Sequence, residues 1–141
     1  MKAPEGTPVT CPPHMVRVIK QNGMHADCSV ASLATLFGTT YDEALIVAGS
    51  VQPAVLGCGM TWREMRLTAK RMGGKTRLLR SGQYDIEEAT GILCVKRDDS
   101  EHVVFLWEGR IVDGNGELWL SPQDYLTHYK YRATGLLVRV E

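Results

Sequence analysis

The chain lacks net charge: 16 Lys and Arg stand against 16 Asp and Glu in 141 residues. That balance argues against wholesale nucleic-acid binding, which draws on a basic excess. It also lacks long apolar runs. None approaches the ~18 residues that span a bilayer, so no membrane partner is expected. The first residues carry Pro4, Pro8, Pro12 and Pro13 and no apolar core of the secretory type, so a signal peptide is not expected either. Cysteine is sparse, at positions 11, 28, 58 and 94. Cys11-Pro12-Pro13-His14 has a C-x-x-H spacing, but no second pair completes a zinc site, and no metal is expected. Free thiols in a reducing, cytoplasmic compartment follow from this usage. No internal repeat and no long linker divides the chain. The length suits one domain over residues 15–141, behind an irregular arm at 1–14.

The charge that is present is unevenly placed. Residues 61–80 hold Arg63, Arg66, Lys70, Arg71, Lys75, Arg77 and Arg80 against Glu64 alone, leaving 9 basic and 15 acidic residues elsewhere. A solvated helix face is the first expectation for this segment, and a site for an anionic partner the second.

Val16–Ile19 reads as a short extended segment before the turn Gln21-Asn22-Gly23. Val30, Leu33, Ala34 and Phe37 repeat with helical period, which predicts a helix opened by Asp27-Cys28-Ser29 and stopped at Gly38. Asp27 is its expected N-cap. Thr40-Tyr41-Asp42-Glu43 predicts a capped helix over 41–48, followed by a loop from Gly49 to Gly59. Thr61-Trp62-Arg63-Glu64 predicts another, with Trp62, Met65, Ala69 and Met72 on its inner face and Gly73-Gly74 at its end. The period then changes. Strands are expected at 76–79, 92–95, 102–107, 110–113 and 136–140. Glu108-Gly109 is the expected hairpin turn, and Gly114-Asn115-Gly116 a further turn. Ser121-Pro122 starts a short helix, with serine at the cap and proline at the first position. Helices first and an antiparallel sheet second define an α+β fold.

Cys28 at a helix N-terminus meets the partial positive charge that favours a thiolate, the reactive form. A cysteine nucleophile also needs a base, an orienter for that base, and donors for the oxyanion. His102 is the candidate base, at the start of a strand. Asp113 is the candidate orienter, at the end of the partner strand. The two flank the Glu108-Gly109 turn almost symmetrically, so closing that hairpin brings them to one sheet edge. The Cys28 backbone N–H and the Gln21 side-chain amide are the candidate oxyanion donors. His25, three residues before Cys28, is an alternative base, although a residue that close in the loop rarely reaches the right side of the thiol. Cys58 and Cys94 are expected as core or loop thiols, and Trp62, Trp107 and Trp119 as core.

The order Gln21, Cys28, His102, Asp113, with the cysteine opening a helix, resembles that of papain-like cysteine peptidases. More particularly it resembles a stand-alone relative of the bacteriocin-processing peptidases, which cleave double-glycine leaders. Gln21…Cys28-Ser-Val-Ala-Ser-Leu-Ala, Gly59-Met-Thr-Trp-Arg-Glu-Met…Gly73 and Gly91-Ile-Leu…His102-Val-Val-Phe-Leu…Val112-Asp113 carry the likeness. The ending Ser121-Pro-Gln-Asp-Tyr…Thr134-Gly-Leu-Leu-Val extends it. Ser29 stands where that family has glycine, Gly114 where it has proline, and the Gln21–Cys28 gap is one residue longer. The resemblance implies a papain-like fold, its helical N-terminal half packed on a C-terminal antiparallel sheet. It implies hydrolysis of a peptide or isopeptide bond through a Cys28 acyl-enzyme, without cofactor or metal, on a peptide or protein substrate. Amide transfer or deamidation would use the same machinery. The alternative from another class is a binding module that keeps the fold and holds peptides without cleaving them.

Overall fold

The structure, a computed structural model, describes residues 28–113 and 117–140. The arm, the extended segment at 16–19, Asp27 and the Gly114-Asn115-Gly116 turn lie outside them. Helix α1 spans Cys28–Phe37, and eight of its ten residues are buried. Gly38 ends it at φ 66°, and the Thr39 N–H donates back to the Ala34 carbonyl at 3.0 Å, the αL stop that glycine makes without strain. Helix α2, Tyr41–Val51, is capped by Thr40, whose hydroxyl accepts the Glu43 N–H at 3.1 Å.

The expected loop from Gly49 to Gly59 is a correction. Helix α2 runs through Gly49 to Val51, and a short helix α3 follows at Val55–Cys58. One glycine inside a helix costs only about 1 kcal/mol, so Gly49 weakens α2 without ending it. Pro53 ends it instead, because the residue before a proline is pushed out of helical backbone. Helix α4, Trp62–Arg71, carries a complete capping box: the Thr61 hydroxyl accepts from the Glu64 N–H at 3.2 Å, and the Glu64 carboxylate accepts from the Thr61 N–H at 2.9 Å.

Six strands form one antiparallel sheet: β1 (Lys75–Leu79), β2 (Gly91–Arg97), β3 (Ser100–Trp107), β4 (Arg110–Val112), β5 (Leu118–Trp119) and β6 (Arg132–Val140). Their spatial order is β1-β6-β2-β3-β4-β5. Helix α5, Pro122–Tyr129, precedes β6, capped by Ser121 as expected. Among the described residues the fold is therefore α+β, with five helices and this sheet. Strand β5 was not expected, being too short to show a period. Strand β6 starts four residues earlier than expected, because Gly135 continues the strand rather than breaking it. It pairs with Cys94, and the β2–β6 register shifts just beyond, between Cys94 and Val95.

Side chains alternate across the sheet and bury both faces. Ile92, Cys94, Val103 and Phe105 meet Leu33 and Leu36 of α1 and Met65 and Ala69 of α4. Leu93, Val95, Val104, Leu106 and Ile111 meet Trp119 and Tyr125 on the other face. A third cluster joins α1 to α2 through Val30, Ala34, Ala44 and Ala48. Burying each large apolar side chain in such clusters stabilises by roughly 1.5–3 kcal/mol.

The β3–β4 hairpin positions the candidate site. Its turn, Glu108-Gly109, has φ 47° and 78°, the positive pair that a two-residue turn matching strand twist requires. A Cβ on Gly109 would lie 1.9 Å from the Glu87 carbonyl oxygen, so only glycine fits there. The turn sets Leu106 against Ile111 and Phe105 against Val112. Continuing that register sets Asp113 across from Val104, two residues along β3 from His102.

Candidate active site

Three residues that are far apart in the sequence meet here. Cys28 is the first residue of α1 and is half-buried. His102 lies near the start of β3, and Asp113 immediately follows β4. His102 Nε2 lies 3.0 Å from Asp113 Oδ1. The Cys28 thiol lies close enough to the imidazole to favour its charged form. With Nε2 taken by the carboxylate, Nδ1 is the nitrogen left for the thiol.

The surroundings of His102 act in two directions. Burial disfavours its charged form, but the hydrogen-bonded Asp113 carboxylate and the nearby Cys28 thiol outweigh that and push its pKa up to about 10. The imidazole therefore holds its proton at neutral pH. Its side chain is 25% exposed, against 8% for Asp113. The proton is thus accessible from one side and anchored from the other.

The second oxygen of Asp113 is also held. The Tyr125 hydroxyl donates to Oδ2 at 2.8 Å. Tyr125 is fully buried; burial first, and then Asp113 beside it, push its phenol upward, so it stays a donor. Asp113 is fixed by its backbone as well, its N–H donating to the Glu117 carbonyl at 2.9 Å. A carboxylate anchored through both oxygens and its own main chain has little freedom to turn away from the imidazole. Tyr131 completes the surroundings. Its ring stacks on His102, centroids 6.3 Å apart and planes 27° from parallel. The Arg97 guanidinium lies over the outer part of this arrangement, 5.4 Å from the Tyr131 centroid. Burial pushes the Tyr131 phenol up, while Arg97 pulls it down.

Sequence reasoning missed Tyr125 and Tyr131. The Ser121-Pro122 cap correctly starts α5, but a cap does not say which face of a one-domain fold the helix covers. Of the candidate residues, Cys28, His102 and Asp113 come together. Gln21 lies outside the described residues, as do His25, Cys11 and His14. Cys94 is buried in the core, and its thiol is pushed up by burial. Trp119 is core, while Trp62 and Trp107 pack half-buried against it.

Among the described residues, no group of three or more His, Cys, Asp or Glu side chains is placed to share a metal ion. No described helix is long and apolar enough to cross a membrane. In comparisons with known proteins, no family model matches the chain and no curated protein sequence matches it.

Proposed function

We propose that this protein is a cysteine peptidase of the papain-like type, similar to the bacteriocin-processing peptidases, with Cys28 as nucleophile. One observation carries the reading. Cys28, His102 and Asp113 are separated by 74 and 11 positions (102 − 28 and 113 − 102), yet a hydrogen bond joins the His102 imidazole to the Asp113 carboxylate, and the Cys28 thiol lies within electrostatic reach of that imidazole. Buried polar residues rarely gather in that order without chemistry to perform.

The mechanism follows from the arrangement. The proton shared by Cys28 and His102 rests on the imidazole, and Asp113 stabilises the imidazolium. The Cys28 sulfur attacks the carbonyl carbon of a peptide or isopeptide bond. The carbonyl π pair moves to oxygen, where the Cys28 backbone N–H and the Gln21 amide are the proposed donors. The first N–H groups of a helix have no intrahelical acceptor, so that of Cys28 is available for this role. As the tetrahedral intermediate collapses, His102 gives its proton to the departing amine. Water, deprotonated by His102, then hydrolyses the thioester and restores the thiol. No step calls on a metal or an organic cofactor, and the thiol suits a reducing, cytoplasmic setting.

The competing reading is a binding module that holds a peptide without cleaving it. The doubly anchored Asp113 weighs against it, since orienting an imidazole toward a thiol serves turnover and not ground-state binding. The deciding experiment pairs labelling with turnover. Cys28 should react with iodoacetamide faster than Cys11, Cys58 or Cys94. Cys28→Ala should lose at least about 10⁴-fold in peptide hydrolysis and keep its peptide affinity and thermal midpoint. Equal turnover by wild type and Cys28→Ala would refute the reading. Peptide binding by a wild type that never turns over would establish the binding module.

A further inference from the structure

The basic segment at 63–80 has no role in that chemistry. Among the described residues none of its seven cations is paired with a carboxylate: the ion pairs there are His102–Asp113 and Arg110–Glu108. Glu64, the one carboxylate in the segment, is occupied by the Thr61 N–H and by Gln52 Nε2 at 3.0 Å. Arg71 is held by the Ser50 carbonyl and hydroxyl, both at 3.1 Å. Arg66 reaches the Thr76 carbonyl at 3.4 Å, and the side chains of Arg63 and Lys70 have no partner among the described residues. Arg63, Arg66, Leu67 and Lys70 recur at i, i+3, i+4 and i+7, so they share one helix face, and all four are exposed. Leu67, 42% exposed, sits among the three cations. A solvated face normally interleaves Glu with Lys or Arg at this spacing. Here Arg66 and Lys70 form a like-charge i, i+4 pair, which destabilises an unliganded helix.

The helix that carries the stripe packs on the same sheet as His102. Trp62, just before Arg63, packs over Gly135: a Cβ there would meet its Cζ2 at 3.4 Å. Gly135 pairs with Cys94, and Cys94 with Val103, the neighbour of His102. Gly135 and Val103 are thus two strand spacings, roughly 10 Å, apart in the sheet. Helix α4 extends about 15 Å.

We propose that the Arg63–Arg66–Leu67–Lys70 face docks an acidic segment of the peptide substrate. In that segment carboxylates flank an apolar residue. The inference rests on the peptidase reading and gives its substrate a charge. A peptide fits better than a nucleic acid. Outside residues 61–80 the chain has 9 basic and 15 acidic residues, which repel a long polyanion, and Leu67 offers nothing to a phosphate backbone.

The test uses the full chain as Cys28→Ala, with fluorescein-labelled peptides read by anisotropy. One decapeptide has four glutamates around a central leucine, and its match has glutamine for glutamate. The acidic peptide should bind at least about tenfold more tightly. The preference should vanish in 300 mM salt and in the triple variant Arg63→Gln/Arg66→Gln/Lys70→Gln. It should survive in the control Lys96→Gln/Lys130→Gln. Circular dichroism melts verify that each variant folds. Equal affinity for the two peptides, or a preference unmoved by the triple variant, would overturn the proposal. So would tighter, stripe-dependent binding of a single-stranded oligonucleotide of equal charge. Because binding is read without turnover, the two readings fail separately. Acidic preference with an inert wild type keeps the docking face and removes the peptidase. Hydrolysis indifferent to substrate charge does the reverse.

Discussion

Helices α1 and α4 are both ten residues long, and they are held in place by opposite means. Helix α1 has no acidic residue in its first turn and no basic one in its last, and it is buried from Ser29 to Leu36. Its glycine stop alone would not sustain so short a helix in water. Packing fixes it: against the sheet through Leu33 and Leu36, and against α2 through Val30 and Ala34. Helix α4 buries only Met65, Thr68 and Ala69, and it stabilises itself with a capping box, Glu64 in the first turn and Lys70 and Arg71 in the last. The helix that carries the candidate nucleophile is thus placed by the whole core. The helix that carries the exposed cations is free to present a face. A reacting sulfur must be positioned to within fractions of an ångström, whereas a charged docking face tolerates more, so each helix has the kind of support its proposed task needs.

The sharpest way to break this contrast is to remove one leucine from each helix. Leu33→Ala should cost about 2–5 kcal/mol, because Leu33 is fully buried and the void cannot fill. Leu67→Ala should stay within about 0.5 kcal/mol. Urea denaturation of both variants measures the difference. Equal losses would mean that α4 is as core-dependent as α1.

A smaller effect tests the anchoring at the end of α1. Tyr125→Phe keeps the ring, which packs against Trp119, Tyr129 and Tyr131, and removes only the donor to Asp113. Leaving that buried oxygen short of a partner should cost about 1–3 kcal/mol of stability. If Tyr125 positions Asp113, kcat should also fall about tenfold with KM unchanged, a barrier change of about 1.4 kcal/mol. A stability loss without that kinetic change would reduce Tyr125 to a packing residue.

Smaller again is the cap of α4. Thr61→Ala removes the hydroxyl that accepts the Glu64 N–H and should cost about 1 kcal/mol. Thr61→Ser should recover most of it. Thermal melts suffice, and a loss near zero would show that packing rather than capping holds α4.

These two helices also show what a sequence discloses. Both were legible, α1 by its apolar period and α4 by Thr61 and Glu64, because those signals are local. The His102–Asp113 pairing was legible too, since one tight turn sets the register of a hairpin. Less visible was whatever depended on distant partners. Nothing near Gly135 says that β6 enters the sheet between β1 and β2, and two residues are too few to mark β5. Tyr125 reads as an ordinary aromatic until α5 is laid against Asp113, and Gly74 as a spare glycine until Phe37 arrives 1.9 Å from where its Cβ would be. The stop of α2 was misplaced because Gly49 was given the weight that belongs to Pro53.

The smallest expected effect is one of pH, and it returns to the end of α1. His102 binds its proton more tightly in the folded protein, with the pKa pushed up to about 10 from the ordinary 6.5. Between those values the folded chain holds a proton that the unfolded chain has released. The unfolded state then binds fewer protons, so stability falls as pH rises. The contribution is complete below about pH 6.5 and is lost as pH passes about 10. Water reaches a quarter of the side chain, which screens the effect and keeps it modest. His102→Gln cannot titrate. The advantage of wild type over that variant in urea melts should therefore shrink between pH 7 and pH 10, in buffers of equal ionic strength. Hydrolysis should depend on the same proton, because the departing amine needs it, so the alkaline limb of kcat/KM should fall near pH 10. A limb near pH 6.5, with a constant stability gap, would mean that Asp113 and Cys28 do not hold the imidazolium together.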